Sequence, residues 1–310
     1  MEGNFTFTGE FSGPAVAAVF TVEMILALIA NGVVLSITLY QWKSFKQSSI
    51  IFFTSLILAH LVLNLLNLPF TMIPLAAGEW IFGITNEEKR GTCHFAAWMN
   101  WSGSYVLSFT LAAISFDRFL FIVKPHLHTR FMRPCVALTL TIAIWILSAV
   151  LGTLPFFDIG HYSYFDKLGL CSLVGVDIAA FVVILVIIFL VVGTIFITSL
   201  WTFFFTFKAQ SVIAGENVYT SKKKRLFGIF GSMLIIYGTG YLIAALGFLL
   251  RIFIFLPYEF FITSHIVYSF VTVASPIIQS YFRPEIKSVL VSRCPLLFTC
   301  VCCSCIHAVC

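Results

Sequence analysis

The chain has 310 residues and a net charge of +5; 60% of its residues are hydrophobic and only 10% are charged. Soluble domains carry about 25% charged residues, and no soluble fold can bury so large an apolar fraction. The composition therefore excludes an ordinary soluble protein and predicts one that lies in lipid. Residues 1–13 lack the basic start of a cleaved signal peptide, so we expect the first apolar segment to direct membrane insertion.

Seven apolar segments are long enough to cross a bilayer, for which a helix needs about 20 residues. No repeat or linker separates them, which predicts one seven-helix domain at 15–282 between an extracellular terminus at 1–14 and a cytoplasmic tail at 283–310. The predicted spans, called first to seventh below, are 15–40, 48–76, 92–122, 135–157, 178–206, 225–250 and 260–282.

The loops predict the orientation of the chain in the membrane. With the amino terminus outside, the outer side keeps only Lys89, Arg90, Lys167 and Arg251, and the other 14 of the 18 basic residues lie on the cytoplasmic side. Such an excess over short loops is the positive-inside pattern. The net positive charge is therefore expected to meet anionic membrane lipids and not a nucleic acid. The same orientation exposes Asn4, in the sequon Asn4-Phe5-Thr6, to glycosylation.

A charged pair, Asp117 and Arg118, follows 26 residues from Gly91 to Phe116 that contain no Asp, Glu, Lys or Arg. The pair is therefore expected where the third span reaches the cytoplasm. A helix end with a snorkelling Arg is one explanation of it. The whole stretch 112–125, which ends in Lys124-Pro125, also closely resembles the end of the third helix of rhodopsin-like G-protein-coupled receptors.

Other stretches extend this resemblance over residues 15–290. The resemblance implies an all-α membrane protein, a seven-transmembrane helix bundle with a short amphipathic cytoplasmic helix 8. It also implies a plasma-membrane receptor that passes an extracellular ligand signal to heterotrimeric G proteins, with no enzyme activity and no cofactor. The matching residues are Asn31 with Val34, the run 56–61 with Pro69, Trp145 with Pro155, and Ser275-Pro276 with the run 281–285.

The resemblance also assigns roles on the cytoplasmic side. In the family, the Arg of the pair is held by its neighbouring Asp at rest and turns toward the G protein on activation. The resemblance therefore implies that Asp117 and Arg118 take part in coupling. It also implies a part in activation for Pro276. The sixth span begins without an acidic residue that could hold Arg118, so we expect a weak resting tether and ligand-free signalling. The basic run before that span is either a coupling surface or a positive-inside anchor; it consists of Lys222, Lys223, Lys224 and Arg225.

The cysteines fall into two groups. The resemblance implies a disulfide between Cys93 and Cys171, which both lie on the oxidising outer side; two unpaired thiols are the alternative. A second group crowds the cytoplasmic tail next to the membrane, where palmitoylation is favoured over a metal site, since no zinc-finger spacing is present. The candidates for palmitoylation are Cys294, Cys300, Cys302, Cys303 and Cys305.

The chain departs from the family pattern at the site where relatives hold sodium. The three matching positions here are His60, Ser275 and Leu107. A carboxylate is lost, and an imidazole is a poor ligand for a hard cation, so we expect no sodium site. Inside the bundle, His60 is either a satisfied core residue bonded to Asn31 or Ser275, or a group that takes up a proton as the helices move.

Further departures affect the sixth and seventh spans. Gly238 and Gly240 occupy the positions of the family's Trp and Pro, so the sixth span is expected to bend softly and not to be permanently kinked. Gln279 replaces a Tyr in the motif of the seventh span. These changes leave open whether the receptor is constitutively active or silent.

The resemblance disfavours two classes of ligand without identifying the ligand itself. Amine receptors carry an Asp at the position of Asn100, which is neutral here, so a monoamine ligand is disfavoured. Opsins carry the retinal-binding Lys at the position of Ser269, so a conventional opsin is also disfavoured. Polar and aromatic residues of the third, sixth and seventh spans either contact a ligand or pack between helices. They are Asn100, Trp101, Ser104, Tyr241, His265, Tyr268 and Thr272.

Other classes of protein remain alternatives at this point. In a transporter or channel, His60 would mark the pathway, but no inverted repeat or pair of broken helices is present. An atypical opsin relative without a retinal link is a further alternative. An enzyme is disfavoured because the sequence offers no cluster of carboxylates or histidines for catalysis or metal binding.

Overall fold

The computed structural model describes residues 5–40, 47–174, 178–212 and 256–282, with the single positions 243 and 247. Six helical segments in this part of the chain are long and apolar enough to cross a membrane, and they match the first five and the seventh predicted spans. Apart from positions 243 and 247, the sixth span lies outside the described residues, and with it Gly238, Gly240 and Tyr241. Helix 8, the tail cysteines, Asn4 and the basic run Lys222 to Arg225 also lie outside them. The predicted domain limits stay predictions.

The helices are bounded as follows. The first span is α1, Gly13–Tyr40; the second is α2, Ser48–Val62, and α3, Leu68–Ala77, joined by a π-helical turn at Leu63–Asn67. The third is α4, Asn86–Val123, which is followed by the short α5, Pro125–Phe131. The fourth span is α6, Pro134–Gly152, and the fifth is α7, Ile178–Val212. The seventh span is α8, Tyr258–Phe282, which is not the predicted cytoplasmic helix 8.

Three predicted span boundaries differ from the helix ends by more than one turn; the first is the end of the fifth span, at Val212 and not at 206. The third span begins at Asn86 and not at 92, because Thr85 and Glu88 form a capping box in which each side chain binds the backbone N–H of the other. The fourth span ends at Gly152 and not at 157. Pro155 lies in the 3₁₀ turn Leu154–Phe157 that follows, and its ring has no N–H for an α-helical bond.

The π-helical turn redirects the polar face of the second span. Pro69 cannot donate to the carbonyl group four residues earlier, and the chain accommodates this with one wide turn. As a result, Asn64 and Asn67 are both buried, while Leu65 and Leu66 between them are exposed toward lipid. The turn thus points two amides into the bundle at different heights.

The predicted disulfide is present and fixes a cap at one end of the bundle, the end that we predict to face outward and call the outer cap. Cys93 of α4 is bonded to Cys171, which lies in the second strand of an antiparallel hairpin, β1, His161–Phe165, and β2, Leu170–Val174. The hairpin also binds the end of α6, because the Tyr162 hydroxyl donates to the carbonyl oxygen of Gly152 at 2.8 Å. Burial raises the pKa of Tyr162, which keeps it a donor.

The amino-terminal segment completes the outer cap. Phe7 N–H donates to Gly78 O at 2.8 Å, and Trp80 N–H donates to Phe5 O at 2.8 Å, so the segment pairs with the loop after α3. The Thr8 hydroxyl donates to Asp166 Oδ2 at 2.6 Å in the turn of the hairpin. Three outer elements are thereby tied together above α1 to α4.

The core of the bundle is centred on α4, which packs against α2, α6 and α7. Leu107, Leu111 and Ile114 form its buried stripe at helical spacing. Gly103 lies on the same helix where the wide turn of the second span comes close: a Cβ added there would overlap the Leu63 side chain, with Cγ at 2.9 Å. An alanine at 103 would therefore force the Leu63 side chain to shift within the helix contact.

We predict that Gly103→Ala lowers the melting temperature of the purified protein in detergent, because overpacking a helix contact costs about 1–3 kcal/mol. The matched control is Gly91→Ala on the same helix, where an added Cβ meets no atom within 4 Å. That change is expected to be neutral or stabilising, since Ala favours a helix over Gly by up to about 1 kcal/mol. Equal melting temperatures for the two variants would contradict the close contact.

Candidate functional site

The innermost polar layer joins the first, second and seventh spans through Asn31 and His60. The Asn31 amide nitrogen donates to the backbone carbonyls of Ala27 at 2.8 Å and Thr272 at 2.9 Å. A carbonyl can only accept, so this fixes the orientation of the amide and leaves its oxygen facing His60 Nδ1 at 3.2 Å. His60 Nδ1 must therefore carry the hydrogen. The contact with Asn31 is one of the two that the sequence offered for His60, and the role of His60 in the core stays a prediction.

Asn64 and Thr272 continue this layer across the second and seventh spans. The Asn64 amide nitrogen lies 2.9 Å from Thr272 Oγ1 and also donates to the carbonyl oxygen of His60 at 2.7 Å. The Thr272 hydroxyl lies 2.8 Å from the carbonyl oxygen of Ser269, to which it can donate. All of these side chains are buried. Thr272, a candidate for ligand contact, is thus part of a network between helices.

A second polar layer lies toward the outer side and joins the second, third and seventh spans. Asn67 donates from its amide nitrogen to Asn100 Oδ1 at 3.1 Å. The Tyr268 hydroxyl donates to Ser104 Oγ at 3.2 Å, and Ser104 in turn donates to the carbonyl oxygen of Asn100 at 2.8 Å. The structure therefore brings together three predicted candidates, Asn100, Ser104 and Tyr268, and adds Asn67. The four side chains carry no formal charge.

Two other candidates for ligand contact, Trp101 and His265, pack against aromatic side chains. Trp101 packs with the cluster around Trp80 and the disulfide under the hairpin, and its indole N–H is buried without a hydrogen-bond partner in the described part of the chain. His265 places its ring edge-on to Phe20 of the first span, with centroids 5.5 Å apart. Their predicted ligand contacts stay predictions.

Glu23 is a buried acid whose partner the sequence did not predict. Its side chain is in α1 and only 6% exposed. Ser269, at the position that corresponds to the retinal-binding Lys of opsins, gives it a side-chain hydrogen bond. The contact joins the first span to the seventh.

The end of the third span that we predict to face the cytoplasm is built around Asp117, which is 1% exposed. Its Oδ1 accepts from the Ser48 hydroxyl at 2.6 Å and lies 3.1 Å from His128 Nε2 of α5. Neither partner was predicted, because each lies on a different element. The predicted hold of Asp117 on Arg118 stays a prediction.

The motif of the seventh span forms a local contact instead of a cation site. The Gln279 amide nitrogen donates to Ser275 Oγ at 2.9 Å, and both side chains are buried. Pro276 lies between them inside α8. On the opposite side of the family's sodium site, Leu107 is buried and offers no ligand atom, and His60 presents a hydrogen to Asn31. The donor set therefore does not suit sodium.

We predict that sodium does not regulate this protein. Replacing sodium chloride by choline chloride at equal ionic strength should leave both the melting temperature and the basal rate of nucleotide exchange on an added G protein unchanged. Ionic strength must be matched because it screens surface charges. A sodium-dependent stabilisation or inhibition would show that a cation site exists in spite of His60.

The comparisons with known proteins agree with this geometry. The family described as 7 transmembrane receptor (rhodopsin family) matches residues 30–304. Similar proteins include mouse G-protein coupled receptor 161, 29% identical over 49% of this chain and 27% of its own length. Mouse galanin receptor type 3 is 29% identical over 53% of this chain and 43% of its own length. Chicken neuropeptide Y receptor type 2 is 29% identical over 48% of this chain and 37% of its own length.

The chain thus matches less than half the length of these relatives, while the family match covers most of the chain. The six described spans, the disulfide and the residues at the cytoplasmic end of the third span occur in the order that this family requires. The chain belongs to the rhodopsin family of seven-transmembrane receptors.

Proposed function

We propose that this protein is a cell-surface receptor that passes the binding of an extracellular ligand to heterotrimeric G proteins. The observation that carries the proposal is the cytoplasmic end of α4, where Asp117 and Arg118 follow a buried apolar helix in a chain of this family. Asp117 is joined there to the second span and to α5. A change in the helix packing can therefore reach the surface on which a G protein would bind.

We place the protein in the plasma membrane, with the amino terminus outside and the carboxyl terminus in the cytoplasm. The disulfide and the capping hairpin lie at one end of the bundle, and disulfides form on the oxidising side of a membrane. Among the described residues, Arg118, Lys124, Arg130 and Arg133 lie at the other end, which supports the same orientation. Glycosylation of Asn4 and palmitoylation of the tail cysteines belong to this proposal.

The ligand that this site favours is one recognised through neutral hydrogen bonds. Asn67, Asn100, Ser104 and Tyr268 form a layer of amides and hydroxyls below the outer cap. Peptide groups pair with such side chains, because each peptide unit offers one donor and one acceptor. Two of the relatives are named for neuropeptides, galanin and neuropeptide Y. We therefore propose a peptide ligand.

We predict that Arg118→Ala abolishes activation of G proteins while the amount of protein at the cell surface is retained. The charge at this position is the group that would contact the G protein, and its loss leaves the apolar helix intact. Arg90→Ala is the matched control, because Arg90 lies exposed at the outer end of the same helix. The measurement is guanine-nucleotide exchange on a panel of G proteins, with surface labelling. Signalling of Arg118→Ala at the wild-type level would contradict the proposal.

The class of ligand can be tested separately. Tissue extracts that activate the receptor should lose that activity on treatment with a broad-specificity protease, and an organic-solvent fraction of the same extract should be inactive. Asn100→Ala should weaken the response to the active fraction about fivefold to tenfold, as expected for one lost hydrogen bond of about 1 kcal/mol. Activity that survives protease treatment and enters the solvent fraction would exclude a peptide and indicate a lipid.

A further inference from the structure

The first and seventh spans run side by side, and their side chains meet in register. Nearest the outer cap, the ring of Phe20 stands edge-on to that of His265, with the centroids 5.5 Å apart. One turn further in, Glu23 shares a hydrogen bond with Ser269, and below that contact lies the inner polar layer. Residues three or four apart lie on one face of a helix. The two spans therefore enclose a carboxyl group between an aromatic pair and a fixed layer of amides.

The carboxyl group of Glu23 is buried with part of its bonding capacity unused. Its Oε2 has no hydrogen-bond partner in the part of the chain that the structure describes. Buried polar atoms are nearly always bonded in native proteins, and each exception requires an explanation. An ionised carboxylate only accepts hydrogen bonds. The group that this oxygen lacks is therefore a donor.

The described helices around Glu23 supply no counter-charge for it. The outer half of α1 packs against α3 and α8. Neither α1 nor α3 contains a Lys, Arg or His, and the basic residue of α8 is His265, whose ring faces Phe20. A buried charge is costly unless it is paired. A cation that pairs with this carboxylate must therefore come from outside these helices.

The surroundings of the carboxyl group favour an organic cation that carries N–H groups. A primary ammonium or a guanidinium supplies the missing donor, whereas a quaternary ammonium has no N–H to give. The buried ring of Phe20 on the same face of α1 offers an apolar surface that also attracts a cation. A hard metal ion such as calcium takes about six to eight oxygen ligands, and Glu23 and Ser269 together offer too few.

We propose that Glu23, oriented by Ser269, binds an ammonium or guanidinium group of the ligand. That the cation belongs to the activating ligand rests on the proposed function, whereas the cation site itself does not. In a peptide ligand, the group is the amino terminus or a Lys or Arg side chain. It adds one charged contact to the neutral contacts of the outer layer. The acid that amine receptors carry at the position of Asn100 is absent here, and Glu23 offers one on the first span instead.

The first measurement is the thermal unfolding of the purified full chain in lipid nanodiscs with small probes. Benzylammonium chloride supplies the cation, benzyl alcohol is its neutral analogue, and choline chloride is a cation without an N–H group. A probe of this size that fits its site is expected to bind with a Kd of about 1 mM. At about 10 mM, benzylammonium should raise the melting temperature of the wild type by about 2–4 °C more than either other compound. Equal effects of the three probes on the wild type would overturn the proposal.

Two variants locate the effect. Glu23→Gln keeps the size of the side chain and removes its charge, so the rise specific to benzylammonium should disappear. Glu259→Gln is the matched control, because Glu259 lies exposed in the first turn of α8, and it should respond like the wild type. A specific rise that persists in Glu23→Gln would place the cation elsewhere and overturn the proposal. The comparison of the three probes on the wild type depends on neither variant.

The second measurement is nucleotide exchange driven by the extract fraction that activates the receptor. Acetylation of this fraction neutralises ammonium groups, and phenylglyoxal blocks guanidinium groups. One of the two treatments should lower its potency on the wild type about tenfold or more, as expected for the loss of a hydrogen bond between charged groups. On Glu23→Gln, treated and untreated fractions should be equally potent, because both changes remove the same contact. An equal loss in both proteins, or no loss in the wild type, would overturn the contact with the ligand.

The two measurements distinguish failure of the cation site from failure of the receptor function. A rise in melting temperature specific to benzylammonium, in a protein that no fraction activates, would support the site and contradict the receptor function. Activation that is lost on acetylation and survives the protease would support the contact of Glu23 with a free amine and exclude a peptide. Activation without any specific effect of benzylammonium would support the receptor function and overturn the site.

Discussion

The hydrocarbon core of a membrane offers no water, so each polar side chain inside the bundle must find its partner on another helix or on its own backbone. Asn31 shows how far this constraint determines the structure. Its amide nitrogen serves carbonyls on the first and seventh spans, and its oxygen is thereby directed to His60 on the second. One amide sets the relative depth of three helices, and it also decides which nitrogen of the imidazole carries the hydrogen. A histidine in this role acts as a donor within a rigid layer, which is a different task from cation binding.

The two polar layers differ in what a ligand could do with them. In the inner layer, Asn64 and Thr272 bind each other and their local backbone, and all of these groups are buried. In the outer layer, Asn67 with Asn100 and Ser104 with Tyr268 are pairs of neutral groups. Exchanging one such bond for a bond to a ligand costs little, because the net free energy of a neutral hydrogen bond is only about 1 kcal/mol. A ligand could therefore rearrange the outer layer and leave the inner layer as a fixed support.

Most of the fold could be predicted from the sequence, because uninterrupted apolar runs have few alternatives to spanning helices. The disulfide and the contact of His60 with Asn31 followed from the family resemblance together with the need to satisfy a buried imidazole. The partners of Asp117 could not be predicted in the same way. Ser48 is 69 residues away in sequence, and neither it nor His128 stands in a local pattern that marks a contact. The inward turn of Asn67 was missed for another reason, since it depends on a π-helical turn near Pro69.

The inner end of the third span brings these points together. A buried carboxylate requires compensation, and Asp117 receives it from a hydroxyl on the second span and an imidazole on α5. The predicted hold on Arg118 would share the same single charge with these two contacts. The run 220–225 that begins the sixth span contains no acid to supplement that hold, and Glu216 is the only acid nearby in the preceding loop. We therefore expect the resting state to depend on how the charge of Asp117 is divided between Ser48, His128 and Arg118.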